Sequence, residues 1–165
     1  MFQVGDLMIY SSQGMCRVED ICEKTINGTT RLYYVLQPME SNFKMTIMTP
    51  VDNDKVSMLE LLKIAEAEKI MEIFSGPAGE WPDHPTQRHR KFLEAINSGD
   101  RMNIAHLVLS YLHRENDPAV NQNRMQDNDR KLLDNATRIL FKELAACYSC
   151  SVDTIRERIS ERMAS

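Results

Sequence analysis

The sequence predicts an α+β protein: a small, strongly bent β-barrel of five strands at the N-terminus, followed by an all-α segment of about five helices. Two patterns carry the first half. Met8-Ile9-Tyr10 follows a Gly5-Asp6 turn and precedes Gly14, and a hairpin turns on Asn27-Gly28, where a type I′ turn needs φ > 0 at both central residues. A third pattern carries the second half. Beyond residue 52 the apolar residues recur at helical spacing between capping and breaking residues.

Each element follows from local chemistry. Val4 and Ile9-Tyr10 supply core side chains to the first strands, and Thr25-Ile26-Asn27-Gly28-Thr29-Thr30 forms the hairpin tip. Residues 31–36 and 43–48 are rich in β-branched and aromatic residues and read as strands ended by Pro50. The polar stretch Val51-Asp52-Asn53-Asp54 places a domain boundary, giving residues 1–52 and 53–165. Ser57 with Glu60 three residues on matches a capping box, so a helix is expected to begin there. Leu61, Leu62, Ala65, Lys69, Ile70, Ile73 and Phe74 then suggest one or two helices ending near Ser75-Gly76-Pro77.

Two glycines and two prolines make residues 76–82 a loop. A helix over 86–97 places Phe92, Leu93 and Ile96 on one side. Ser98 or Asp100 caps the next, which keeps Ile104, Leu107, Val108, Tyr111 and Leu112 in helical register. Residues 115–123, with Pro118, form a polar linker. The longest helix spans 127–146 with Leu133, Ala136, Leu140 and Leu144 on its face, and Ser151 caps a terminal helix carrying Ile155, Ile159 and Met163.

A chain of 165 residues with 42% hydrophobic content can bury one ordinary core or two small ones. No leader-like segment precedes the first strand and no apolar run approaches membrane-spanning length, so a cytoplasmic protein is expected. The net charge is −4, and neither segment is basic: residues 1–52 hold four Lys/Arg against six Asp/Glu, and the rest sixteen against eighteen. Any contact with nucleic acid must therefore be local. A five-stranded barrel leaves no room for an active-site cleft, and no nucleophilic triad, paired carboxylates or phosphate-cradling glycine loop is found. Cys147-Tyr148-Ser149-Cys150 is a CxxC without the second pair that a zinc site needs, and it follows a helix where a redox motif would follow a strand. Cys16 and Cys22 complete the thiols, and His106 and His113 lie seven apart on one helix. Reduced thiols and surface histidines, with no metal, cofactor or catalytic residue, are the expectation.

The candidate chemistry lies in Trp81 and the segment His84-Pro85-Thr86-Gln87-Arg88-His89-Arg90-Lys91. Three cations and no acid stand at a helix start, where free N–H groups also favour phosphate. Arg88 and Lys91, three apart, are expected to share an exposed face while Phe92 turns inward. The alternative is a solvated helix end, with Trp81, the sole tryptophan, as a packing anchor.

A set of motifs runs along the chain: Phe2-x-Val4-Gly5-Asp6, Ile9-Tyr10, Gly14, Ile21, Ile26-x-Gly28, Tyr33-x-x-Leu36 and Pro50. Further on come Leu93, Ser98-Gly99-Asp100, Leu112 with Arg114, Leu132-Leu133-x-x-Ala136 and Glu143-Leu144-Ala145. In order and spacing these together resemble the CarD/CdnL/TRCF family of bacterial transcription regulators. The resemblance runs from Phe2 to about Ala146. It implies a Tudor/SH3-like barrel that binds the RNA polymerase β subunit and a helical domain that touches promoter DNA, stabilising the open complex. Lys24 and Ile26 match positions presented to the β subunit, and Met48 stands where relatives carry a second basic residue. On the helical side the resemblance implies weak, sequence-independent minor-groove contact through Trp81, Arg88, Arg90, Lys91 and Arg130. In relatives the tryptophan directly precedes the basic helix. That position is Pro85 here, so either Trp81 reaches the same place from four residues earlier or it packs elsewhere. Localisation would then be nucleoid-associated through polymerase, with oligomeric state open. The alternative function is an adaptor of polymerase or a repair translocase without DNA contact.

Overall fold

The computed structural model describes residues 1–10, 13–40, 45–79, 81–82, 84–117 and 126–164. The chain divides into two compact units, Met1–Leu61 and Leu62–Ser165. In the first, strands β1 (Leu7–Tyr10), β2 (Gly14–Ile26), β3 (Thr29–Pro38), β4 (Ile47–Pro50) and β5 (Met58–Leu59) form one sheet in the order β4-β3-β2-β1-β5. All pairings are antiparallel. The expected five-stranded N-terminal sheet and the five helices after it are present, and no pairing among the described residues joins β4 to β5.

The β2–β3 hairpin turns where expected: Asn27 has φ 54° and Gly28 φ 78°, the left-handed pair that a type I′ turn requires. A register shift between Val18 and Asp20 interrupts the ladder, and β2 outlasts β1, whose pairing stops at Arg17. Alternation along the strands sends Met8, Cys16, Val18, Tyr34 and Leu36 into a small core. Phe2 closes one end, its ring edge-on to Tyr34 at 6.1 Å and its N–H donating to the Tyr34 hydroxyl at 2.9 Å. Val4, expected in that core, is 60% exposed, because it sits in the Gly5-Asp6 turn before β1 begins. The strand expected over 43–48 starts at Ile47, with residues 43–44 outside the described set.

The capping box at Ser57 does not start a helix. Met58 and Leu59 pair with Tyr10 and Ile9 as β5, and this carries the first unit nine residues past the boundary expected at 52/53. A sheet partner outcompeted the local cap.

The second unit holds α1 (Ile64–Ile73), α2 (Pro85–Asn97), α3 (Arg101–Asn116), α4 (Asp127–Tyr148) and α5 (Val152–Ala164). Pro85 occupies the first turn of α2, where its missing N–H costs nothing. Asp100 caps α3 by accepting from the N–H groups of Met102 and Asn103, and Ser151 Oγ accepts from Thr154 N–H at the start of α5. Ser149, in the left-handed conformation at φ 53°, ends α4. The main core gathers Ile70, Phe74, Leu109, Phe141, Leu144 and Ile155, with Phe74 edge-on to Phe141 at 6.5 Å. The linker expected over 115–123 begins later, since α3 runs to Asn116; Pro118 lies outside the described residues.

Within this core Arg101 donates from Nε and Nη2 to Glu143 Oε1 at 2.8 Å, while Glu66 stands 3.8 Å away. Burial pushes the Glu143 carboxyl above the usual carboxylate range, against the pull of Arg101. No helix among the described residues is long and apolar enough to cross a membrane.

Candidate functional site

In the first unit the three sequence-selected residues lie at the surface. Lys24 faces Arg31 across the hairpin, Ile26 pairs with Thr29 beside the turn and is 51% exposed, and Met48 pairs with Val35 on β4 and is 40% exposed. Alternation dictates this: Lys24 and Ile26 share a parity and a face of β2 beyond the point where the small core ends. Met48 stands on an edge strand, whose outer backbone groups are available for pairing.

The second unit assembles a corner from α2, α3, α4 and the loop before α2. Phe92, Tyr111 and Leu133 form a buried cluster against which Trp81, Leu107 and Leu132 pack. The half-buried Trp81 ring tilts on Phe92 at 5.2 Å between centroids. Two guanidinium groups approach that ring: Arg114 from α3 at 4.8 Å and Arg88 from α2 at 5.9 Å. Such contacts are worth about 0.5–1 kcal/mol at exposed sites and about 2 kcal/mol or more when desolvated. Trp81 thus packs against this corner while part of it stays accessible.

Arg88 corrects the expected exposed face. It is 7% exposed and its Nε donates to Pro82 O at 2.9 Å. The reason is helical phase: Arg88 and Phe92, four apart, share the inward stripe, and Lys91 falls on the flank. Lys91 and Arg90 are exposed, and Arg90 approaches Glu94 only at 3.9 Å. Arg130, half-exposed on α4, pairs with Glu115 at 2.8 Å. The α2 start has neither a side-chain cap nor an acid in its first turn, so its end is electropositive.

Sequence reasoning gave no site role to Arg114, or to the His89–Asp129 pair. His89 Nδ1 lies 2.7 Å from Asp129 Oδ1, tying α2 to α4 through a carboxylate that is wholly buried. Only the three-dimensional meeting of helices reveals either one, although Asp129 at the start of a polar-looking turn was visible as a first-turn acid. Tyr111 donates to Asp134, and burial together with that bond raises the Tyr111 phenol. Trp81 Nε1, His113 Nε2 and Asp129 Oδ2 are buried without a hydrogen-bond partner among the described residues. An unmet buried donor or acceptor costs about 1–3 kcal/mol, so this corner is less settled than the main core.

No group of three or more His, Cys, Asp or Glu among the described residues could hold a metal. The Cys16 thiol is pushed up to about 11 by burial, and Cys147 is raised by burial and by the nearby Glu143 and Glu66, so neither is a poised nucleophile. Residues 2–63 match the CarD-like/TRCF RID domain family and residues 69–160 match the CarD C-terminal domain family. The chain belongs to the CarD-like family. It is also 29% identical over 145 residues to a putative transcription factor, YdeB, of Bacillus subtilis strain 168, covering 87% of this chain and 90% of that protein. The CarD-like family is one of transcription regulators, and this chain is one of that kind.

Proposed function

We propose that this CarD-like protein binds the RNA polymerase β subunit through the Met1–Leu61 unit. The helical unit then contacts promoter DNA upstream of the melted region and stabilises the open complex. The observation that carries the reading is the corner around Trp81: a half-buried aromatic flanked by guanidinium groups, beside the exposed cations Arg90 and Lys91 at an uncapped helix start. A chain of net charge −4 has no general field to attract DNA, so the contact is local and weak. The polymerase tether supplies the effective concentration.

For the tether, Lys24 offers a charge and Ile26 and Met48 offer apolar surface that adapts to a partner. Edge pairing with a partner strand would add backbone hydrogen bonds. The test is co-purification of the protein with polymerase core, with and without promoter DNA, followed by open-complex lifetime measurements. Retention on core with a lengthened lifetime supports the reading, and absence from core removes it.

A second reading has its own support. Trp81 packs on Phe92 and Arg88 is spent on Pro82 O, which suits an adaptor whose helices meet protein instead of DNA. Polymerase binding without any change in open-complex lifetime would favour it.

A further inference from the structure

We infer that Arg114 is a phosphate-binding residue of the nucleic-acid contact, its guanidinium held over the Trp81 ring until a backbone phosphate takes it. The inference rests on the DNA-contact reading above and names a residue that reading does not use.

The cations around Trp81 differ in what occupies them. Arg88 is buried and donates to Pro82 O. Arg130 is held by Glu115. Arg114 is half-exposed in the last turn of α3, and its side chain has no carboxylate or hydrogen-bond acceptor among the described residues. Its contact there is the Trp81 ring at 4.8 Å. A ring face attracts a cation but accepts none of the five directional N–H bonds of a guanidinium, whereas two phosphate oxygens accept a bidentate pair. The acid next in sequence, Glu115, is engaged by Arg130 at 2.8 Å.

The aromatic half of the pair is also incompletely satisfied. Trp81 Nε1 is buried with no acceptor among the described residues. When a phosphodiester draws Arg114 away, the ring loses its cover and the indole N–H gains access to an acceptor. Capture of phosphate and release of the tryptophan are thereby coupled through one guanidinium. The ligand is a backbone phosphate of nucleic acid, read without regard to base.

The chain suits a direct test because it contains one tryptophan. Emission maximum and acrylamide quenching would be followed during titration with a short DNA duplex carrying a mismatched bubble, for wild type, Arg114→Gln and Arg114→Lys. Far-UV circular dichroism would check each fold. Wild-type emission should shift to longer wavelength on binding. Free Arg114→Gln should already show the shifted, more quenchable emission. Its plot of log K against log salt should be shallower by about 0.9, the share of one duplex phosphate contact. Arg114→Lys, which keeps the charge, should retain most of the salt slope. A folded Arg114→Gln with wild-type slope and wild-type emission, while wild type binds the bubble, overturns the inference alone. A wild type that does not bind the bubble, free or in complex with polymerase core, overturns the DNA-contact reading and this inference with it.

Discussion

The two units of this protein spend their charged and apolar surface in opposite ways. In the sheet unit the candidate residues Lys24, Ile26 and Met48 project from strands whose alternation leaves them outside, so composition and exposure agree. In the helical unit several arginines are instead held by partners within the fold. Arg101 is locked to Glu143, Arg88 reaches Pro82 O and Trp81, and Arg130 holds Glu115. A cluster of positive charge in a helical sequence is thus a poor footprint of nucleic acid until the phase of each helix is known. Around Trp81 and the start of α2, the cations left available to a phosphate among the described residues are Arg90, Lys91 and Arg114.

The largest effect should come from breaking an internal pair. Glu143→Ala strands the nearly buried Arg101 and should destabilise the helical unit by about 3 kcal/mol in urea titration followed at helical wavelengths. The sign of the pH dependence follows from the raised Glu143 carboxyl. The folded state holds that proton at higher pH than the unfolded chain does, so stability falls as pH rises through the carboxylate range. Glu143→Gln should remove that component of the slope, and an unchanged slope would place the effect on another carboxylate.

Trp81→Ala removes a half-buried aromatic from the Phe92 cluster and should cost about 2 kcal/mol. It should also shorten open-complex lifetime while polymerase binding stays near wild type. An unaltered lifetime would reduce Trp81 to a packing residue and blur the contrast between the units.

Sharpening the other side, Lys24→Glu with Ile26→Glu should abolish polymerase retention in a pull-down. Because both positions are exposed, stability should change by no more than about 0.5 kcal/mol each. A folded double variant that still binds would clear this surface of the tether role. Arg90→Glu with Lys91→Glu should lose transcription stimulation while keeping the polymerase complex, with a salt slope shallower by about 2. The smallest effect concerns Cys16, whose thiol at about 11 should resist alkylation at neutral pH and react only on unfolding or in strong base.

Where a backbone demand is local, the sequence shows it. Asn27-Gly28 announces its turn because few residue pairs accept two positive φ values, and Asp100 and Ser151 announce helix starts because each side chain meets the orphan N–H groups itself. Some of the motifs that carry the family resemblance, Gly5-Asp6, Gly28 and Ser98-Gly99-Asp100, lie in such places too. Where the outcome depends on a distant partner, the same reasoning fails. Ser57 and Glu60 satisfy a capping box on paper, yet Met58-Leu59 is claimed by β1. Val4 has the side chain of a core residue but the backbone of a turn. Arg88 shares the inward stripe with Phe92, but its partners Pro82 and Trp81 reach it through a loop without local periodicity. Arg114 was visible only as a motif residue, its ring partner lying 33 positions away.

The overhang of β2 beyond β1 bears on how this protein behaves in a crowd of its own copies. A strand edge left open is a template on which an identical strand can lie, and from Glu19 onward β2 presents such an edge among the described residues. The stretch carries Glu19, Asp20 and Glu23 against Lys24, so alignments of two copies that set these acids opposite one another are disfavoured. Asp20 goes further, since its Oδ1 already accepts the Ile21 N–H at 2.8 Å and withdraws one donor from any incoming strand. The overhang is an open edge whose acidic surplus disfavours pairing with its own copies.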